Sequence, residues 1–282
     1  MIKIISLIFV VFLLLSSAIS SADNDSINNN FRLSEQEYML TTDDLVAILE
    51  GKKNTPTYLQ PSNSKTLPLL FRDAPYQSFS HREKEVGVII LNTLTLSQKA
   101  SDFSLNILQV PHQYHDKLTL DIAVEMFNTG LFDVLQFNQA HRYSTEHADM
   151  SKQTLSLFNA ITEAFLSSRF HGRVFQIHGF AKSKRHTEAA KGADLILSNG
   201  TVIPSKYLYQ LQSCFSSNFK LLARLYGREV FELGATKNSV AKQINITQSK
   251  VEFIHIELPL EAREFILNNN LATGIARCLV DQ

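Results

Sequence analysis

The chain has 282 residues, with 27 basic and 27 acidic side chains and only two cysteines. That length is enough for one full hydrophobic core. Balanced charge gives no pull toward nucleic acid or an anionic membrane surface, and two cysteines argue against a disulfide scaffold or a cysteine-ligated zinc site.

Residues 1–22 read as a signal peptide. Lys3 supplies the positive start, Ile4 to Leu15 is apolar apart from Ser6, and Ser20 and Ala22 are small residues suited to cleavage after Ala22. The apolar run falls short of the roughly 20 residues a spanning helix needs, which favours cleavage over an uncleaved anchor. No second run of spanning length follows. The expectation is an exported protein, periplasmic or secreted, with no stable membrane insertion once the signal is removed.

Residues 23–83 read as an N-terminal extension packing on the main domain. The stretch 23–31 is polar and expected to lack structure. A helix is expected over 41–51, capped by Thr42 or Asp43 and stopped by Gly51, and Pro56, Pro61, Pro68 and Pro75 mark loops.

From residue 84 to 282 the pattern becomes that of an α/β domain. Strands are expected at 85–92, 104–110, 132–138, 173–179, 193–200, 228–233 and 250–258. Helices are expected at 118–130, 151–168 and 205–226, with one or two more over 259–280. Such alternation implies a mainly parallel, mixed sheet with helices on both faces. Within this domain, Cys214 and Cys278 either pair in an oxidising compartment or remain buried thiols.

Chemistry gathers where strands end. The apolar run 104–110 leads into PHQYHDKLT (111–119), which places His112, His115 and Asp116 at a strand's C-terminal edge. VFQIHGF (174–180) delivers His178 in the same way, and VEFIHIEL (251–258) delivers Glu257. A catalytic zinc takes three protein ligands and keeps one position open. His112 with either His115 or Asp116 would be the near pair, and His178 the distant ligand. Asp116 has another reading, as the cap of the following helix. Glu257 reads as a proton-transfer carboxylate or as the partner of Arg263 in an ion pair. Arg142, in FNQAHRY (137–143), could hold a substrate carboxylate or polarise a carbonyl, helped by Asn138 and His141; alone it would read as a surface ion pair.

LGATKNS (233–239) could line a pocket or form a plain turn, and KSKRH (182–186) is a basic loop. No G-x-S-x-G elbow is present and neither cysteine neighbours a base, which discounts serine and cysteine nucleophiles.

The order PH-x3-D-x2-T, an Asn/Arg strand end, a strand ending His-Gly, then IELP followed by Arg resembles the zinc carboxypeptidase-like amidohydrolases. Within them it is similar to the N-formylglutamate amidohydrolases and phage poly-γ-glutamate hydrolases. The likeness spans residues 105–265 as scattered motifs, with Asp116 where those hydrolases carry Glu and Thr119 keeping its place. It implies a zinc-exopeptidase-like fold, a zinc held by His112, Asp116 and His178, a base at Glu257 and carboxylate recognition by Arg142. The expected activity is hydrolysis of an amide bond next to a carboxylate, in an N-acyl amino acid, a γ-glutamyl compound or a peptide. Two alternatives share these residues. One is a non-catalytic binding protein of the same fold; the other is a metal-dependent phosphoesterase, which needs a second metal.

Overall fold

The computed structural model describes residues 30–52, 56–62, 76–82, 84, 87–98, 104–168, 170–247 and 250–281. The expected signal peptide, the stretch 23–29, Pro68 and Pro75 lie outside them. No helix among the described residues is long and apolar enough to cross a membrane.

In chain order the elements are α1 (Glu35–Leu49), β1 (Leu59–Pro61), β2 (Tyr76–His81), β3 (Val88–Asn92), α2 (Thr93–Gln98), β4 (Ser104–Val110), α3 (Thr119–Phe127), β5 (Val134–Phe137), α4 (Leu157–Ser167) and β6 (His171–Phe180). After a 3-10 turn at Lys182–Lys184 come α5 (Glu188–Lys191), β7 (Leu195–Ser198), α6 (Lys206–Phe219), β8 (Ala223–Leu225), α7 (Ser239–Thr247), β9 (Val251–Pro259), α8 (Leu260–Asn268) and α9 (Ala272–Val280).

Among the described residues, nine strands join one mixed sheet in the order β1-β2-β3-β5-β4-β6-β9-β7-β8. The middle four, β5, β4, β6 and β9, are parallel. Antiparallel pairings flank them: β3 on β5, β2 on β3, β1 on β2, and β7 on β9. The segment read as an extension therefore supplies two strands to the sheet edge.

Each central strand alternates between two apolar layers, as a sheet covered on both faces requires. Leu108 and Val110 of β4 face the layer formed with α3, α6, α8 and α9. Leu105 and Ile107 face the layer formed with α1, α4 and α7. On this second face the alternation turns polar toward the C-terminal ends. Ile107 is followed by Gln109, Val174 by Gln176 and His178, and Phe253 by His255 and Glu257, all buried.

Local chemistry moves several boundaries. The first helix starts at Glu35, not near residue 41, because Ser34 and Glu37 form a reciprocal capping box. The helix expected from 151 starts at Leu157, where the Ser156 hydroxyl accepts from the Asn159 amide. The helix expected to run to 226 stops at Phe219, since Lys220 turns left-handed at φ 56°. The strand expected at 228–233 is absent. Gly227, Leu233 and Ala235 have positive φ, which breaks an extended run, and only Tyr226 and Val230 form an isolated bridge. The strand lies just before it, at β8. Helix α7 is a further element outside the expected set; Asn238 Oδ1 accepts from the Ala241 amide at its start.

Cys214 of α6 and Cys278 of α9 form a disulfide with Cα atoms 6.1 Å apart, a span that suits the bond.

Candidate metal centre and active site

The parallel strands β4, β6 and β9 end side by side, and their C-terminal ends carry the site. Register pairs Gln176 with His255 and His178 with Glu257, so each strand contributes two polar residues to the same face. Beyond β4 the chain makes a tight turn in which the His112 carbonyl accepts from the amides of His115 and Asp116. The turn brings Asp116 back beneath His112 and directs His115 outward. Leu118, not Asp116, is the residue at the N-terminus of α3, and no side chain caps it. The Asp116 carboxylate is thus free of the capping role and faces the two histidines.

His112, Asp116 and His178 each offer a ligand atom within 4.8 Å of the others, and all three are buried. His112 Nδ1 lies 3.6 Å and His178 Nδ1 3.7 Å from Asp116 Oδ2. These separations are too long for hydrogen bonds. They are close to the roughly 3.4 Å between two donors that each sit about 2.0–2.1 Å from a tetrahedral zinc. Asp116 Oδ2 is buried with no hydrogen-bond partner.

The far side of each ring determines the state of the near side. His112 Nε2 is 2.8 Å from Asp149 Oδ1, a carboxylate that can only accept, so Nε2 carries a hydrogen; Nδ1 faces Arg142 Nη1, which can only donate, so it presents its lone pair. His178 Nε2 donates to Gln176 Oε1 at 2.9 Å with the same result. Two lone pairs and a carboxylate oxygen face one region; Arg142 Nη1, 3.3 Å from His112 Nδ1, relieves part of their repulsion, and a bound cation would relieve the rest. The donor set thus fits zinc, and Asp149 and Gln176 stand where the outer partners of metal-bound histidines would stand.

The electrostatics agree. Burial pulls the His178 pKa down to about 4 against the opposing charge of Asp116, so the ring is neutral at pH 7. Burial works to raise the Asp116 carboxyl, but the approach of His112 and His178 overcomes it and holds the group well below the usual carboxylate range. Asp149 is held low in the same way, with burial outweighed by His112, Ser151 and Arg142.

Glu257 stands beside this cluster. Burial and then the charge of Asp116 push its pKa up to about 8. Its Oε2 has no hydrogen-bond partner, and Oε1 lies 3.6 Å from His255 Nε2. The ion pair with Arg263 does not form, because that buried guanidinium donates to the carbonyls of Lys117 and Pro259.

A cleft of about 330 Å³ opens over the cluster, lined among others by His112, Arg142, Lys152, His178, Lys237 and Glu257. The loop 233–238 forms one wall, so LGATKNS lines the cleft. The basic loop after β6 is not free: Arg185 lies 3.4 Å from Glu232, which also accepts from the amides of His186 and Thr187.

The expected helpers divide. Arg142 lines the cleft, pairs with Asp149 Oδ2 at 2.8 Å and directs Nη1 toward His112 Nδ1 at 3.3 Å. Asn138, expected to touch substrate, is instead a loop brace. Fully buried, it donates to the carbonyls of Ala140 and Ala148 and accepts from the Ala140 amide, which uses up its side chain. His141 and the alternative ligand His115 are exposed outside the buried cluster, in edge-to-face contact with each other, with His115 edge-on and His141 tilted against Tyr143.

Three members of the site had no motif of their own. Asp149 lies in the irregular loop before α4, where an isolated acid gives no signal. Gln176 and His255 sit two residues before His178 and Glu257, and strand periodicity places them on the same face. Gln176 belongs to a buried amide row. Gln176 donates to Gln109 at 2.9 Å, Gln109 to Gln136 at 2.9 Å, and Asn238 donates to Gln176 at 2.7 Å.

No protein-family model matches the chain, and no curated protein matches it. Among solved structures it is similar to a bacteriophage poly-γ-glutamate hydrolase, at 11% identity over 67% of this chain and 91% of that one, with a TM-score of 0.43. It is also similar to a protein described as a carboxypeptidase A from Shewanella denitrificans, at 11% identity over 69% and 60% with a TM-score of 0.40. A third likeness is to the succinylglutamate desuccinylase of Chromobacterium violaceum, at 10% identity over 84% and 73% with a TM-score of 0.41. These likenesses concern the fold, at identities too low to assign any residue.

Proposed function

We propose that the protein is an exported zinc-dependent hydrolase that cleaves an amide bond next to a carboxylate. One observation carries the reading: two buried imidazole lone pairs and an unpartnered carboxylate oxygen converge at the separations of ligands on one cation. His112, Asp116 and His178 would hold the ion. Bound zinc supplies Lewis acidity toward a carbonyl and makes water a nucleophile near neutral pH.

The residues of the chain do the rest. Glu257, with its pKa near 8, takes a proton from the attacking water and returns it to the leaving amine. Arg142 lies beside His112, where it steadies the developing negative charge on the carbonyl oxygen. Lys152 and Lys237 give the same cleft positive charge for a substrate carboxylate. The substrate class is an N-acyl amino acid, a γ-glutamyl compound or a peptide. Export is supported by the apolar leader and by the Cys214–Cys278 disulfide, a bond typical of oxidising compartments.

The test joins metal analysis to an activity panel. Gently purified protein is expected to hold about one zinc per chain, as one three-ligand site requires. It should cleave at least one member of a panel of N-acyl amino acids, γ-glutamyl peptides and muropeptides. Glu257→Gln should keep the zinc and lose roughly 10²-fold or more in turnover. Protein that binds no zinc, or a Glu257→Gln variant as active as the parent, refutes the mechanism.

A further inference from the structure

Beside the first ligand set is a second, which shares one member with it. His178, His255 and Glu257 each offer a ligand atom within 4.8 Å of the others, and all are buried. His255 and Glu257 stand on one face of β9, opposite Gln176 and His178 of β6, so strand register fixes their grouping. The His178 and His255 rings lie 4.7 Å apart between centroids. His255 Nε2 and Glu257 Oε1 are 3.6 Å apart, again outside hydrogen-bond range and close to the separation of two donors on one cation. Glu257 Oε2 adds a buried oxygen with no hydrogen-bond partner. Burying an ionised carboxylate beside an imidazole without a bond between them is costly; protonation or a cation joining the two removes that cost.

We propose that His178, His255 and Glu257 form a second seat for a divalent cation, overlapping the first through His178. Because the two seats share that imidazole, the cluster holds one ion at a time. On the reading given under Proposed function, an ion in the second seat makes Glu257 a ligand and withdraws it from proton transfer. The enzyme then has an active and a silent metal position about one side chain apart.

Titration of the metal-free full chain with cobalt(II) and zinc, followed by calorimetry and the visible cobalt spectrum, tests this. The parent should take up one ion. Asp116→Asn, which preserves shape, should still take up one ion, with a changed cobalt spectrum. Its affinity should fall by at least about 100-fold, since loss of even an outer partner can cost that much. Adding His255→Ala to Asp116→Asn should abolish binding, while His255→Ala alone should leave the tight ion in place. If Asp116→Asn misfolds by circular dichroism, His112→Gln with and without His255→Ala gives the same comparison.

A folded Asp116→Asn protein that binds no ion overturns the second seat and leaves the first intact. So does an Asp116→Asn/His255→Ala protein that binds as well as Asp116→Asn. A parent that takes up two tight ions overturns the overlap. A parent that binds none overturns the first seat as well.

Discussion

Glu257 is ionised only at a cost to the fold. Its folded pKa, about 8, lies above the ordinary 4.5 because burial and the charge of Asp116 disfavour the anion. The sign follows from linkage: the protonated form is bound more tightly by the native state, so its contribution is full below pH 4.5 and is lost as pH rises through about 8. In metal-free protein, Glu257→Gln should therefore raise the melting temperature relative to the parent at pH 8 and have little effect at pH 4. An equal shift at both values would show that the carboxylate is not so placed. Asp149 affords a second expectation at this scale. Its carboxylate accepts from His112 Nε2 and from the Ser151 hydroxyl, and it pairs with Arg142. Asp149→Asn should weaken zinc binding by about 10–100-fold without removing the site, measured by competition with a chelator. His112 and Asp116 were legible in the sequence because one turn holds both. Asp149 was not, because only the folding of the 138–156 loop brings it 2.8 Å from His112. His255 was legible in principle: once Glu257 faces the cleft, the residue two positions earlier must face it too.

Elements were legible where a period persisted. Strand β4 falls where the apolar run 104–110 places it, and the two C-terminal helices follow the expected pattern. Boundaries failed where a single side chain decides them. Ser156 is the clearest case: the apolar positions of α4 continue back to Leu155, yet the helix begins after Ser156, because its hydroxyl accepts from the Asn159 amide. The displaced residues become the loop that carries Asp149. Ser156→Ala should cost about 1 kcal/mol, the usual loss of an N-cap, seen as a lower denaturation midpoint with unchanged slope. No loss would mean that packing alone sets the start of α4. The segment 228–233 failed for another reason. Its β-forming residues sit in a loop, because positive φ at Gly227 and Leu233 breaks the extended run at both ends and leaves only the Tyr226–Val230 bridge.

At the scale of the whole molecule, the sheet rests between two apolar layers, and the disulfide ties α6 to α9 within one of them. The bond closes a loop of 64 residues. By chain entropy that is worth about 4 kcal/mol, or about 10 °C in melting temperature for a domain of this size. The Cys214→Ser/Cys278→Ser protein should melt lower by that order while keeping its zinc, since neither cysteine is near the ligands; an unchanged melting temperature would show that the bond constrains nothing. The amide row lies across the same sheet, and its hydrogen bonds all run one way. His178 and Asn238 give to Gln176, Gln176 gives to Gln109, and Gln109 gives to Gln136. Turning one amide over would place donor against donor at its neighbour, so the row can only be reversed as a unit. The lone pair that His178 presents to the cleft therefore has its orientation underwritten two strands away, by residues that do not line it.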